Sequence, residues 1–345
     1  MAKVSEGALL GIGNPLLDIS AVVDEALLTK YGLKPDDAIL AEEKHMPLYK
    51  ELVDKYKSEF IAGGSAQNAV RVAQWILQVP NVASYFGCVG NDENAKILEA
   101  KARSDGVNVF YQVTDKEPTG TCAVLITGAN RSLVANLAAA NCTTIDHIQK
   151  PENKEVIEKS KIVYISGYFL TVNPEIIQTL AEHCLTTNKM FVMNLSAPFL
   201  CQFFKEPLMN AMPYVDVLFG NETEALTFAK EQNLGTENLK EIAQKISKLP
   251  KKNIRRPRVV VISQGKDPVL FADGQGEVKE YPVQQLDPKQ IIDTNGAGDA
   301  FTGGFLAQLV QCQPYDVCIK CGIWCASEVI QRSGCTFEGK PAFKP

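Results

Sequence analysis

The 345-residue chain lacks the features of several protein classes. It has no basic excess: 35 Lys and Arg stand against 40 Asp and Glu, and the net charge is -5. This balance argues against nucleic acid or an anionic membrane as a partner. No apolar run approaches the roughly 18 residues of a membrane helix. The first residues lack the apolar core of a secretory signal, so we expect a cytoplasmic protein.

Histidine is scarce, and only three residues of this type occur. We therefore expect neither a histidine-based metal cluster nor a Ser-His-Asp arrangement. Ten cysteines without a secretory signal indicate a reducing compartment and free thiols. Cys318, Cys321 and Cys325 fall on one face of a predicted helix, and structural zinc sites need four ligands. The spacing thus favours a buried helix over a metal site.

An ordinary globular composition, 46% hydrophobic and 22% charged, allows one large domain and a smaller one. From residue 150 onward, strand-like and helix-like segments alternate, which predicts a mostly parallel sheet with helices on both faces. Earlier, the runs Thr121–Thr127 and 132–138 are separated by a turn signal at 128–130 and predict a β-hairpin.

The glycine-rich stretch 293–305 is the strongest candidate for a functional site. Apolar residues recur every four positions from Phe301, so a helix should begin near residues 296–298, where small residues leave backbone amides accessible. Free amides at a helix start bind anions, and Asp299 beside them could accept a proton from a hydroxyl. An ordinary N-cap is an equally weighted alternative. The glycine pair 303–304 predicts close approach of another group to the helix.

A second glycine pair, Gly63 and Gly64, lies between an extended stretch and an amphipathic helix whose first turn contains Asn68. Asn14 and Asp18 should lie at or just past the end of the first strand, where parallel sheets bind ligands. They could bind vicinal hydroxyls of a sugar. Taken alone, an Asx turn is the favoured interpretation.

Arg131 shares one face of the second hairpin strand with three apolar residues at 133, 135 and 137. The pattern suits a lid that presents one cation to a phosphate, although an exposed arginine at a sheet edge is slightly favoured. Asn221 and Glu224 share a helix face and could organise metal-bound water, with a capping box as an equal alternative. The basic run 251–258 favours a solvated loop over a nuclear signal.

Two of these stretches resemble the signatures of the ribokinase-like pfkB carbohydrate kinases: residues 62–68 (AGGSAQN) and 293–299 (DTNGAGD). Asn221 and Glu224 are similar to the metal-associated motif of that family. Further similar stretches lie at 13–20, 119–141, 194–199 and 213–225. The resemblance implies an α/β fold, with a large mostly parallel sheet flanked by helices and a small β-rich lid. It assigns residues 1–17, 65–115 and 142–345 to the large domain and 18–64 and 116–141 to the lid.

Within the family, the resemblance is strongest to members that transfer a phosphoryl group from ATP to the 5′-hydroxyl of adenosine, giving AMP and ADP. It implies Mg2+ bridging the phosphates, ATP as co-substrate, and room for a monovalent cation near Asp293. We also expect a monomer that binds only small molecules in the cytoplasm, and a nuclear location only on the less favoured interpretation of the basic run. Asp299 would be the general base and Arg131 a lid arginine near the phosphates. The anion hole would be formed by Gly296, Ala297 and Gly298.

The resemblance also carries binding positions over to this sequence. The substrate positions are Asn14, Leu16, Asp18, Leu40, Gly63, Gly64, Ser65, Asn68, Cys122, Leu133, Ala135, Leu137, Phe169, Phe199 and Asn295. Those for ATP are Asn221, Ser263, Gly265, Gly296 and Gly298, and those for Mg2+, through water, are Asn221 and Glu224. Ala38 departs from the family pattern, which has an amide side chain near this position. The rival hypotheses are a kinase for another nucleoside or a free sugar, and an inactive nucleoside-binding regulator.

Overall fold

The computed structural model describes residues 4–35, 37–128 and 130–344. Two β-sheets, of nine and five strands, organise these residues. Residues 1–3 and 345 of the predicted large domain, residue 36 of the predicted lid and Ala129 of the predicted turn lie outside these ranges. The strands are β1 (Leu9–Ile12), β2 (Leu16–Val22), β3 (Ala38–Leu40), β4 (Glu59–Gly63), β5 (Ala83–Gly90), β6 (Asn108–Thr114), β7 (Thr121–Thr127), β8 (Asn130–Asn136), β9 (Ile162–Ser166), β10 (Met190–Asn194), β11 (Val217–Asn221), β12 (Val259–Gln264), β13 (Asp267–Ala272) and β14 (Lys279–Tyr281).

Helices surround both sheets. The α-helices are α1 (Glu25–Tyr31), α2 (Met46–Lys55), α3 (Ser65–Leu77), α4 (Glu93–Ser104), α5 (Ile145–Gln149), α6 (Pro151–Lys159), α7 (Pro174–Thr186), α8 (Pro198–Phe203), α9 (Lys205–Ala211), α10 (Glu222–Glu231), α11 (Leu239–Ser247), α12 (Ala297–Val310) and α13 (Tyr315–Val329). Short 3-10 helices span Glu43–His45, Ala138–Cys142, Gly167–Thr171, Met212–Tyr214 and Pro288–Gln290. In the part of the chain that the structure describes, no helix is long and apolar enough to cross a membrane.

The larger sheet has the strand order β14-β13-β12-β11-β10-β9-β1-β5-β6. The pairs from β12 through to β6 are parallel, and β13 and β14 add an antiparallel edge. Every residue of β5 and β9 is buried, as expected for parallel strands covered by helices on both faces. The predicted fold class is confirmed.

The smaller sheet has the order β3-β8-β7-β2-β4 and is drawn from two separate parts of the chain. The side chains of this sheet alternate between its two faces. Ile19 and Leu125 pack with Leu48 and Leu52 of α2 on one face, whereas Cys122 belongs to a separate apolar cluster on the other. Strand β2 was not predicted, and Asp18 therefore lies within a strand and not after one. The predicted domain boundaries stay a prediction.

The polar ends of four adjacent parallel strands lie side by side. In the register, Ser166 at the end of β9 faces Asn194 at the end of β10. Asn221 at the end of β11 faces Ser263 of β12. Since parallel strands share one carboxyl edge, this register collects hydrogen-bonding side chains where such sheets bind ligands.

Helix α12 is buried almost throughout. Its glycine pair, Gly303 and Gly304, allows neighbouring groups to pack closely against it. A side chain at Gly303 would lie 2.5 Å from the carbonyl oxygen of Ala69 in α3. At Gly304 it would lie 2.6 Å from the sulfur of Cys325 in α13. The predicted close approach is confirmed, and the approaching groups are two neighbouring helices.

Helix α13 has Cys318, Cys321 and Cys325 fully buried, which confirms the predicted core helix. The basic run 251–258 was predicted to be a solvated loop, but two of its residues are buried or paired. Arg258 is 1% exposed and donates to five backbone carbonyls, and Lys251 forms a 2.5 Å ion pair with Asp216. The solvated-loop interpretation is wrong for these two residues because their charges satisfy buried acceptors.

Candidate active site

A large cavity lies between the five-stranded sheet and the carboxyl edge of the nine-stranded sheet. It encloses about 1340 Å³ of empty space, counting its open mouth. Predicted site residues from both sheets and from α12 line it. They are Asn14, Leu16, Asp18, Leu40, Gly64, Ser65, Asn68, Cys122, Leu133, Ala135, Leu137, Phe199, Asn221, Glu224, Ser263, Asn295, Gly296, Gly298 and Asp299.

Five predicted residues are not among the lining residues: Gly63, Arg131, Phe169, Gly265 and Ala297. Phe169 was predicted for the purine pocket, but its ring is fully buried in the core of the nine-stranded sheet. Gly265 was predicted for ATP binding and instead occupies the turn between β12 and β13 with φ +56°.

The position of Phe169 follows from helix geometry. It lies in the 3-10 helix Gly167–Thr171, where residues three apart point in the same direction. Tyr168 and Thr171 share that direction and line the cavity, so Phe169 points away from it. The aromatic side chain near this edge is therefore Tyr168, whose ring lies 6.3 Å from that of Phe199.

The glycine pair before α3 allows two other site residues to come close. A side chain at Gly63 would overlap the carboxyl group of Asp18, and one at Gly64 would overlap the carbonyl oxygen of Asn14. Gly64 also has φ +92°, a conformation that side chains disfavour. Gly63 thus contributes by leaving space for Asp18.

Asn14 and Asp18 place polar groups in a desolvated part of the cavity. Both polar atoms of the Asn14 amide are buried and have no protein partner in the described residues. An unpaired buried amide is costly, so a ligand hydroxyl would be a favourable partner. Burial, and then the charge of Asp299, raise the pKa of Asp18 to about 8, against a lowering by Arg71.

Asp299 lies in the first turn of α12, half-buried at the cavity wall. Its Oδ1 accepts a hydrogen bond from the Ser65 hydroxyl at 2.7 Å, and its Oδ2 accepts one from the Asn68 amide at 3.1 Å. Burial raises the pKa of Asp299 to about 6, while these two hydrogen bonds lower it. The carboxylate can thus accept a proton near neutral pH.

The start of α12 lies at the cavity, which Gly296 and Gly298 line, while the backbone N–H of Ala297 donates to the carbonyl oxygen of Thr294 at 3.3 Å. Gly296, the N-cap, has φ +77°, and no cap side chain accepts from the first turn. The first amides of a helix have no intrahelical acceptor and attract anions. Of the two initial interpretations, the side-chain cap by Asp299 is wrong, because its oxygens bind Ser65 and Asn68.

Asp293 anchors the loop that leads into α12. Its Oδ1 accepts from the backbone N–H of Asn295 at 2.8 Å, and its Oδ2 accepts from that of Gly334 at 2.9 Å. The Arg131 Nε lies 3.1 Å from Oδ1. These contacts fix the loop that leads into α12.

Arg131 is buried, and the prediction of an exposed arginine at a sheet edge is wrong. Besides its ion pair with Asp293, it donates to the carbonyl oxygen of Ile292 at 2.6 Å. The side chain is buried because these acceptors compensate the desolvation of its charge. It thereby connects β8 to the loop before α12.

Asn221 and Glu224 form the predicted capping box at the start of α10. Glu224 accepts from the backbone N–H and the side-chain amide of Asn221, at 3.0 and 2.9 Å. Burial raises the pKa of Glu224 to about 7. Both residues also line the cavity, so a capping box does not exclude a metal-organising role.

Sequence reasoning missed several residues that line the cavity. Ser166 and Asn194 end predicted strands, and their position at the carboxyl edge was a usable signal. Ile39 lies in β3, which was not predicted, and Thr302 lies one helical turn beyond Asp299. The remaining unpredicted residues are Tyr168, Thr171, Ser196, Phe219, Gly220, Val261 and Phe301. Ala38, named above for its departure from the family pattern, also lines the cavity.

Comparison with known proteins agrees with this architecture. The family model described as pfkB family carbohydrate kinase matches residues 25–342. Among curated relatives, adenosine kinase 2 of Arabidopsis thaliana is 52% identical over 338 residues, which cover 98% of each chain. The chain belongs to the pfkB carbohydrate kinase family.

Solved structures are similar over nearly the whole chain. The adenosine kinase of Anopheles gambiae in complex with P1,P4-di(adenosine-5) tetraphosphate is 59% identical, with a TM-score of 0.96 and coverage of 98% of this chain and 100% of that one. The adenosine kinase of Schistosoma mansoni with 2-fluoroadenosine is 37% identical, with a TM-score of 0.94 and coverage of 98% and 99%.

Proposed function

We propose that this protein transfers the γ-phosphoryl group of ATP to the 5′-hydroxyl of adenosine, giving AMP and ADP. The observation that carries the proposal is the arrangement at one cavity wall: the unpaired Asn14 amide, the buried Asp18 carboxyl, and Asp299 at the anion-binding start of α12. Relatives named as adenosine kinases, 52% and 44% identical over almost the full chain, support the choice of substrate.

Adenosine would bind across the cavity from the five-stranded sheet to α12. Asn14 and Asp18 would bind the ribose hydroxyls. The Asn14 amide atoms are buried without a hydrogen-bond partner in the described residues, and the Asp18 carboxyl is shielded from solvent. The purine would lie in the apolar pocket of the five-stranded sheet, because an aromatic base gains from burial against such side chains. That pocket is lined by Leu16, Leu40, Cys122, Leu133, Ala135, Leu137 and Phe199.

Asp299 would take the proton of the 5′-hydroxyl as that oxygen attacks the γ-phosphorus. The proton goes to a carboxylate oxygen, the new O–P bond forms, and ADP leaves with the electrons of the broken bond. The amides at 296–298 would stabilise the charge on the transferred group. Arg131 adds a cation next to this loop, and we propose that it also acts on the phosphates.

The residues at the start of α10 fit Mg2+ bound through water. Glu224 and Asn221 provide hard oxygen atoms at the cavity wall, which Mg2+ prefers. Their mutual hydrogen bonds leave further lone pairs for water. When bound, Mg2+ neutralises phosphate charge. A monovalent cation near Asp293 stays a prediction, as do a monomeric state and a cytoplasmic or nuclear location.

A substrate panel with radiolabelled ATP tests the proposal directly. Adenosine, other nucleosides, 5′-deoxyadenosine, ribose and fructose would be compared at equal concentrations. We expect label in AMP, none with 5′-deoxyadenosine, and little with free sugars, which cannot fill the apolar pocket. Preferred labelling of a sugar or of another nucleoside would support the rival kinase, and no labelling at all would support an inactive nucleoside-binding protein.

A further inference from the structure

Arg71 of α3 is a buried cation close to the proposed base. It is 1% exposed, and its Nε donates to Asp105 at 2.7 Å. The same guanidinium donates through one terminal nitrogen to the carbonyl oxygens of Ala62 and Cys335, at 3.1 and 3.4 Å. Its charge lies 5.4 Å from the ring of Phe337. A charge with this many partners has a defined orientation.

The same nitrogen of Arg71 also reaches the Asn68 side chain. It donates to Oδ1 of Asn68 at 3.2 Å, while Nδ2 of Asn68 donates to Asp299 at 3.1 Å. A guanidinium can only donate, so the carbonyl end of the Asn68 amide must face Arg71. The amino end is then directed at Asp299. Asn68 thus connects a permanent cation to the carboxylate.

We propose that Arg71 is a positioning residue for phosphoryl transfer, which orients the Asn68 amide so that it always donates to Asp299. This inference rests on the proposed function, in which Asp299 is the base. Without Arg71, the amide could turn its oxygen toward a protonated Asp299 and stabilise the wrong protonation state. The carboxylate would also lose one fixed contact that holds its rotamer.

A substitution at Arg71 also acts on other ionisable groups near Asp299, because the Arg71 charge lowers the pKa of Asp18 and of Cys335. Asp105 is paired with Lys101 at 3.1 Å as well as with Arg71, so it retains a partner. The groups whose pKa is influenced by the Asp299 charge come from several elements. They are Asp18, Tyr85, Tyr164, Tyr168, Glu224 and Cys335.

Three variants of the full-length enzyme test the inference through the pH dependence of kcat with adenosine and MgATP. Arg71→Gln removes the cation, Arg71→Lys keeps the charge with one ammonium, and Asp105→Asn removes the ion pair but leaves the contact to Asn68. We expect the acid limb of kcat to move upward by about half a unit to one unit in Arg71→Gln, since one hydrogen bond to the carboxylate form is lost. Arg71→Lys should shift it less.

Asp105→Asn is the matched control for a structural role. This variant should lower Tm and leave the acid limb of kcat in place. In the two Arg71 variants, and not in Asp105→Asn, the fall in kcat should exceed the rise in KM. An unmoved acid limb in both Arg71 variants, or an equal shift in Asp105→Asn, would overturn the inference. If Arg71→Gln does not fold, the comparison of Arg71→Lys with Asp105→Asn decides. Failure of the proposed function is separate, since it would appear as an unsubstituted enzyme that does not label AMP in the substrate panel. Failure of the base assignment would appear as near-normal turnover in Asp299→Asn.

Discussion

Asp299 is held by two side chains that lie more than two hundred residues earlier in the chain. Ser65 and Asn68 begin α3, and Asp299 begins α12, so two helix starts meet at the proposed reaction centre. Gly63 and Gly64 precede the first of these starts. Each glycine leaves space for a different group, and they should respond differently to substitution.

Gly63→Ala should weaken adenosine binding and leave the fold intact. The added methyl group would overlap the Asp18 carboxyl, which is the end of a side chain and can rotate away. Because Asp18 is proposed to bind ribose, we expect KM for adenosine to rise several-fold, up to about tenfold, as for the loss of one hydrogen bond. Steady-state kinetics with a Tm measurement checks this.

Gly64→Ala is the contrasting variant. Its methyl group would overlap the backbone carbonyl of Asn14, and its φ of +92° is strained for alanine. We expect a loss of about 1–3 kcal/mol from backbone strain alone, with Tm falling accordingly. Equal stability of the two variants would show that the backbone near Asn14 yields more easily than the structure indicates.

Local sequence signals were enough to predict some of the site residues. Asn14 follows the end of a predicted strand and Asp299 follows a glycine-rich turn, and both residues line the cavity. Phe169 was predicted in place of Tyr168, because which neighbour faces a ligand depends on the turn geometry of a 3-10 helix. Arg71 was missed, since an arginine in an amphipathic helix is normally exposed and its burial depends on contacts from distant segments.

At the scale of elements, α12 connects the proposed reaction centre to the core. Its first turn lies at the cavity, and its middle packs against α3 and α13 through Gly303 and Gly304. The close contact with α3 also sets the distance between Asp299 and Asn68. Packing in the middle of the helix therefore supports the geometry at its end.

Gly303→Ala and Gly304→Ala should each destabilise the fold. The methyl group has no space between the helices, and overpacking of this kind costs about 1–3 kcal/mol. Urea unfolding monitored by circular dichroism measures the loss. Gly276→Ala is a suitable control, because a side chain there would meet nothing within 4 Å. A stability change in either α12 variant no larger than in the control would contradict this packing.

Many helices and strands were predictable from periodicity, and several strands were not. The first hairpin strand, Thr121–Thr127, agrees with its predicted bounds. Strands β2, β3 and β6 were missed. All three belong to sheets that depend on pairing with distant strands, and that information is absent from a local pattern.

At the scale of the whole molecule, three acidic groups around one cavity have raised pKa values. Burial is the largest cause in each, with pKa values of about 8 for Asp18, about 7 for Glu224 and about 6 for Asp299. The folded protein therefore binds protons at these sites that the unfolded chain releases above about pH 4. Their contribution to stability is fully present below that pH and is lost as pH rises through the folded values.

The protein without ligands should consequently become less stable between pH 5 and pH 8.5. Asp18→Asn should reduce this slope, because an amide keeps the shape of the carboxyl group without ionising. We expect the Tm of the variant to exceed that of the unsubstituted protein by a margin that grows with pH. Thermal unfolding at several pH values measures it. Parallel Tm profiles for the two proteins would contradict the assignment of Asp18 as the main titrating group.

The proposed reaction depends on Asp299 as the general base, and one substitution at this residue tests that assignment most directly. Asp299→Asn keeps the size and hydrogen-bonding shape of the side chain and removes its basicity. We predict that kcat for adenosine phosphorylation falls by roughly 10²–10⁴-fold, the usual contribution of a general base, while the Kd for adenosine measured by calorimetry changes less than about threefold. Turnover close to normal with unchanged affinity would contradict the assignment of Asp299 as the base.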